Sequence, residues 1–156
     1  MPTHAVRCLA YTILRTGFAG LVASGCTAKP VSINVVARDY AFTAPDSTRS
    51  GPTVFTLNNQ GTKDHELFIG LLRPGATPAQ ITAAHQQGIP FRQLSKAYLD
   101  EPVGVALIAA PRTASPARVT LDLLPGRSYV LFCQLRDSLG APQHAAMGMF
   151  HVLRVN

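Results

Sequence analysis

Tryptophan is absent from this sequence, charged side chains make up only 14 % of it, and three cysteines are spread over 156 residues. The scarcity of charge, set against 47 % apolar residues, excludes a disordered chain and leaves ample material for one core. The net charge is +6, or +4 once Arg7 and Arg15 are set aside. The remaining basic residues, Lys29, Arg38, Arg49, Lys63, Arg73, Arg92, Lys96, Arg112, Arg118, Arg127, Arg136 and Arg154, form no run and are not interleaved with aromatics. That excludes a nucleic-acid-binding stripe. The apolar run near the N-terminus is too short to cross a bilayer. No internal repeat, low-complexity tract, His-x-His motif or alternating βαβ pattern is present.

What is present begins with a leader. Arg7 and Arg15 supply a positive segment, Thr16 to Ala23 is short and apolar, and small residues follow, which is the order of a secretory signal. The segment Ala23-Ser24-Gly25-Cys26 resembles a bacterial lipobox, which implies acylation of Cys26 and cleavage before it. The expected organisation is a signal peptide over 1–25, a tether over 26–31 and a single domain over 32–156. Localisation would be extracytoplasmic, periplasmic or cell-surface, with a lipid anchor in the membrane. With Cys8 in the leader and Cys26 lipidated, Cys133 is left without a disulfide partner. A lone thiol in an oxidising compartment is a liability unless something occupies it.

The domain reads as strands and turns. Ser32 to Arg38, Asp39 to Phe42, Thr53 to Asn58, His65 to Leu72, Val103 to Ala110, Arg118 to Leu123, Ser128 to Cys133 and Met149 to Val155 carry the content or the two-residue alternation of strands. In Thr53 to Asn58 the expected core positions are Val54 and Leu57. Turns are signalled by Pro45-Asp46, Ser50-Gly51-Pro52, Asn59-Gln60-Gly61 and Pro125-Gly126. Thr77-Pro78-Ala79-Gln80 opens a helix, with an N-cap threonine, proline at the first helical position and glutamine three residues after the cap. Ile81, Ala84 and His85 share one face of it, Gly88 and Pro90 end it, and Leu94 to Tyr98 adds a further helical turn. The expected fold is all-β, an antiparallel Greek-key sandwich with one short helical insertion.

The chemistry gathers near the C-terminus. Cys133, His144, Met147 and Met149 lie within seventeen positions on a loop between two strands. His65 opens a distant strand. A trigonal set of two imidazoles and a thiolate with a weak axial thioether suits both oxidation states of one type 1 copper ion. Among the other candidates, Asp64, Glu66 and His85 are expected at the surface. His151 is expected to face solvent, with an accessory ligand role as its alternative.

These residues resemble those of the cupredoxins, the blue copper domains. Arg38 to Phe42, Gly51-Pro52-Thr53-Val54 and Asn58-Asn59-Gln60-Gly61 look like the opening strands of small bacterial members. His65-Glu66-Leu67 looks like the start of the first-ligand strand. Pro125-Gly126-Arg127-Ser128-Tyr129 through Cys133, with His144 and Gly148-Met149, looks like the ending of such a domain. The resemblance covers Ile33 to Val155. It implies that His65, Cys133, His144 and Met149 bind copper, with Met147 as the alternative to Met149. The loop between Cys133 and His144, ten residues, is longer than in plastocyanin-like or azurin-like domains and closer to that of copper nitrite reductases.

A chain of this kind is expected to carry electrons between protein partners rather than to catalyse a reaction, with His144 near the surface as the electron port. The alternative is a copper-handling module that exchanges copper with a partner protein.

Overall fold

A computed structural model describes residues 29–100 and 104–156. The signal and lipidation sites, including Cys26, lie outside the described residues. Among the described residues, nine strands form two packed sheets. The strands are β1 (Val31–Arg38), β2 (Ala41–Thr43), β3 (Ser47–Thr48), β4 (Gly51–Asn59), β5 (His65–Leu71), β6 (Val105–Ala109), β7 (Val119–Leu123), β8 (Ser128–Phe132) and β9 (Phe150–Val155). Their order is β2-β1-β4-β7 in one sheet and β3-β9-β8-β5-β6 in the other. The architecture is the expected all-β sandwich, with a departure from the antiparallel expectation. β1 runs parallel to β4, and β3 parallel to β9. Residue patterns report which face of a strand is buried and are silent about the direction of its neighbour.

Between the sheets lies a core to which successive strands contribute alternate residues. They include Ile33, Val35 and Ala37 from β1, Leu67 and Ile69 from β5, Leu131 from β8 and Leu153 and Val155 from β9. In β4 the phase is opposite to the expected one at its start. Thr53, Phe55, Leu57 and Asn59 are buried, whereas Val54 is only half-buried. Alternation sets a period of two, and the phase follows from pairing with β1, where Phe55 stands beside Ile33 and Leu57 beside Val35.

Two helices follow β5: α1 (Pro78–Gln86) and α2 (Phe91–Tyr98), the second starting three residues before the further turn expected over Leu94 to Tyr98. The cap of α1 forms as its sequence indicates. The Gln80 amide N–H donates to Thr77 Oγ1 (3.3 Å), and the Thr77 amide N–H donates to Gln80 Oε1 (2.8 Å). These helices pack on the outer face of the larger sheet. Ile81 and Phe91 meet Phe68, Val130 and Phe132 in a second apolar cluster. That packing is why the run Tyr129 to Phe132 is buried on both faces instead of alternating.

His85, expected at the surface, is buried. It is only 2 % exposed, wedged against the rings of Phe132 and Phe150. Neither ring nitrogen has a hydrogen-bond partner among the described residues. It shares the buried helix face with Ile81 and Ala84, and that shared face overrides its polarity. Burial alone lowers its pKa to about 4. The folded protein therefore keeps His85 neutral, while the unfolded chain takes up a proton below about pH 6.5. Stability is full above that value and falls as pH drops toward 4. His85→Leu is expected to remove roughly 2–3 kcal/mol of the stability difference between pH 7 and pH 4.5. Urea unfolding of both proteins at the two pH values measures it.

Candidate metal centre

At one end of the sandwich, three segments meet. His65 is the first residue of β5, Cys133 directly follows β8, and His144 opens a short 3₁₀ turn (His144–Met147) leading into β9. The sheet places the first two, since Phe68 of β5 stands opposite Phe132 of β8. Backbone bonds place the third. The His144 N–H donates to Leu135 O (2.9 Å), and the Ala145 N–H donates to Cys133 O (2.8 Å). The ten-residue loop is thus closed at its base by the residues it carries.

The donor atoms of His65, Cys133 and His144 all lie within 4.8 Å of one another, and all three residues are buried. His144 Nδ1 is 3.2 Å from His65 Nδ1 and 3.4 Å from Cys133 Sγ. The outer nitrogens have separate partners. His65 Nε2 lies 3.1 Å from Asp39 Oδ1, and His144 Nε2 lies 3.2 Å from Asp137 Oδ1. Carboxylates only accept, so each Nε2 donates outward and each ring turns its Nδ1 inward toward the other donor atoms. One thiol proton can serve one of the two facing nitrogens and not both. A soft cation bound by two nitrogens and a sulfur satisfies all three, and the donor set fits copper.

Burial pushes the Cys133 thiol up to about 11, partly offset by the Glu66 N–H that donates to its sulfur at 3.3 Å. Burial also lowers the pKa of His65, against the pull of Asp39. Asp39 is itself held down at about 2, first by the Thr62 hydroxyl and also by the Thr62 and Lys63 amides. The contact is closely fitted. A Cβ on Gly61 would fall 2.3 Å from Asp39 Oδ1 and 3.0 Å from His65 Nε2, so only glycine leaves room for the pair.

The two methionines separate cleanly. Met149 is fully buried in the same core cluster as Cys133, and its backbone bonds both His144 O (3.0 Å) and the Cys133 N–H (3.2 Å). Met147, expected to be a core residue if not a ligand, is instead 38 % exposed and lines a cavity with Thr82, His85 and Phe150. His151 is turned away, with Nε2 3.0 Å from Pro45 O. Asp64 is exposed. Glu66, expected at the surface, is half-buried. Burial raises its pKa, and Oε2 accepts the Gln134 N–H at 3.3 Å.

His144, expected near the surface, is 1 % exposed and lies just beneath a cover of partly exposed side chains. The Tyr40 ring stands edge-on to it at 5.2 Å, and Asp137 covers its outer nitrogen. Asp39, Tyr40, Asn59 and Asp137 are the site residues that sequence reading did not single out. Each acts on a partner at least two residues away and most across the fold, so local pattern carries little trace of them.

No family model matches the chain, and no curated protein sequence matches it. Solved structures do. The dithionite-reduced auracyanin of the photosynthetic bacterium Roseiflexus castenholzii superposes with a TM-score of 0.51 at 17 % identity, covering 83 % of this chain and 99 % of that one. Auracyanin B gives 0.50 at 17 % identity, over 83 % and 92 % of the two chains. Auracyanin A of Chloroflexus aurantiacus, described as a "blue" copper protein, gives 0.50 at 19 % identity, over 82 % and 100 %. At such identities the likeness is one of fold, and the fold is that of the cupredoxins.

Proposed function

We propose that the chain is a type 1 copper protein of the cell envelope that carries single electrons between protein partners. The observation that carries this reading is the convergence of His65 Nδ1, His144 Nδ1 and Cys133 Sγ, with their outer partners already in place. His65, Cys133 and His144 would hold the ion, with the Met149 thioether as a fourth donor. Bound there, copper supplies reversible one-electron chemistry. The residues around it supply rigidity. Strands β5 and β8 anchor two ligands, and the bonds that close the loop anchor the third.

Burial favours electron transfer over the copper-handling alternative. All three ligands are closed off, so handing the metal to another protein requires the loop to open, whereas an electron can tunnel through the covering side chains. Leu139, fully exposed, and Met147 lie on the ligand-bearing segment and offer an apolar contact for a redox partner. Envelope localisation and a lipid on Cys26 rest on the leader and the lipobox resemblance.

The test is reconstitution of the soluble domain, starting after Cys26, with one equivalent of Cu(II). The expected result is an intense visible band from thiolate-to-copper charge transfer, with reversible reduction. A colourless complex would remove the type 1 assignment. Ready copper transfer to a partner apoprotein, without reversible voltammetry, would favour the copper-handling role instead.

A further inference from the structure

The loop between Cys133 and His144 carries a carboxylate back over the imidazole that ends it. Asp137 uses its two oxygens for different purposes. Oδ1 faces His144 Nε2 at 3.2 Å, and Oδ2 accepts the Tyr40 hydroxyl at 2.5 Å. Lys63 Nζ stands 4.0 Å from Oδ1 at a largely exposed position and contributes little. Tyr40 is held in an unusual way. It sits in the turn between β1 and β2 with φ +65°, a left-handed conformation that is costly for an aromatic residue. This backbone keeps Asp39 and Tyr40 out of the strand expected over Asp39 to Phe42, which begins at Ala41, and it brings the ring edge-on to His144 and the hydroxyl to Asp137. Two distant segments, one of them strained, thus converge on the single outer nitrogen of a buried histidine.

Resting on the copper reading above, we propose that Asp137, fixed by Tyr40, is the positioning residue for His144: it holds the ring with Nδ1 bare toward Cys133 and His65, and its negative charge favours the oxidised ion and so lowers the site's reduction potential. The physical basis is twofold. A hydrogen bond from the far ring N–H to a carboxylate fixes the tautomer and increases the electron density that the inner nitrogen can donate. An anion next to a ligand also stabilises the more positive metal state, and burial of His144 limits screening by solvent. The length of the loop then has a purpose, because a shorter connection would have no Asp137 to return over the ring.

The experiment compares the wild type with Asp137→Asn, Asp137→Ala and Tyr40→Phe. Asparagine keeps the shape and a carbonyl acceptor but removes the charge, so it separates electrostatics from folding. In the copper-loaded proteins the reduction potential is expected to rise in both Asp137 variants, more in the alanine, and less in Tyr40→Phe. Cu(II) retention against a competing chelator is expected to fall about 10- to 100-fold in Asp137→Ala. In the metal-free proteins, long-range ¹H–¹⁵N correlation is expected to show His144 as the Nε2–H tautomer in the wild type and a mixture of tautomers in Asp137→Ala. A blue Asp137→Ala protein with unchanged potential and unchanged tautomer overturns the proposal. Failure of the wild type to form a blue centre overturns the copper reading instead, and the metal-free measurement still decides whether Asp137 positions His144.

Discussion

Replacing Cys133 by serine is expected to abolish the visible charge-transfer band completely and to strip the site of its preference for copper. The thiolate is the one soft, strongly covalent donor among the three that converge, and a hydroxyl in its place is a hard, neutral ligand with no comparable transition. The imidazoles of His65 and His144 would remain, each still held by its carboxylate, so some weak binding of divalent ions through nitrogen would persist. The fold is expected to survive. Serine is smaller than cysteine, and its hydroxyl can accept the Glu66 N–H that the sulfur now accepts. Burying it beside apolar neighbours costs about 1–3 kcal/mol. Metal analysis and the optical spectrum, with circular dichroism as the check on folding, make the comparison. Copper content and colour equal to the wild type would sink the site assignment.

The second large effect is expected at Asn59, which touches no proposed ligand. Its side chain is buried at the end of β4 and ties three segments together. Nδ2 donates toward Lys63 O (2.7 Å), Ala109 O (3.0 Å) and Ala110 O (3.1 Å), and Oδ1 accepts the Gly61 N–H (2.9 Å). Those contacts set the path of residues 60–64, and hence the point where His65 enters β5 beside Ala109 of β6. Asn59→Leu keeps much of the volume but leaves a buried N–H and several carbonyls short of partners. Each such loss costs about 1–3 kcal/mol. Some of the carbonyls retain other donors, as Ala110 O does from Thr113. The net loss of unfolding free energy is therefore expected to be about 3–4 kcal/mol. Denaturant unfolding measures it. A weakened blue band in the same variant would show that the loop also sets the position of His65. A loss below about 1 kcal/mol would mean that water or a shifted loop replaces these bonds.

Much of this site lies close to the surface of the sequence, and the parts that do not have a common reason. Cys133, His144 and Met149 fall within one loop, and the lack of a disulfide partner for the thiol marks that loop in the sequence. His65 was tied to them by family resemblance, because its 68-residue separation from Cys133 leaves no local spacing to read. The helix start at Thr77 was legible because a capping box is a contact between neighbours in the chain.

Misread positions share a different trait. The buried phase of β4, the parallel pairing of β1 with β4 and the burial of His85 all depend on what packs against the element, not on the element itself. His85 lies on the apolar helix face with Ile81 and Ala84, and that position, not its polarity, decides its burial.

What the sequence by itself determined is a strand-rich domain with one solitary thiol, an imidazole and thioethers close behind it, because period, turn chemistry and ligand type are properties of neighbouring residues. What only the tertiary structure decided is the orientation of those donor groups. Asp39 and Asp137 choose which nitrogen of each histidine faces inward, and Tyr40 and Asp137 cover the imidazole expected near the surface. The reason is that hydrogen bonds and burial are made between atoms adjacent in space, and the packing of one sheet on the other brings Asp39 to His65 and Tyr40 to Asp137 across 26 and 97 positions of chain.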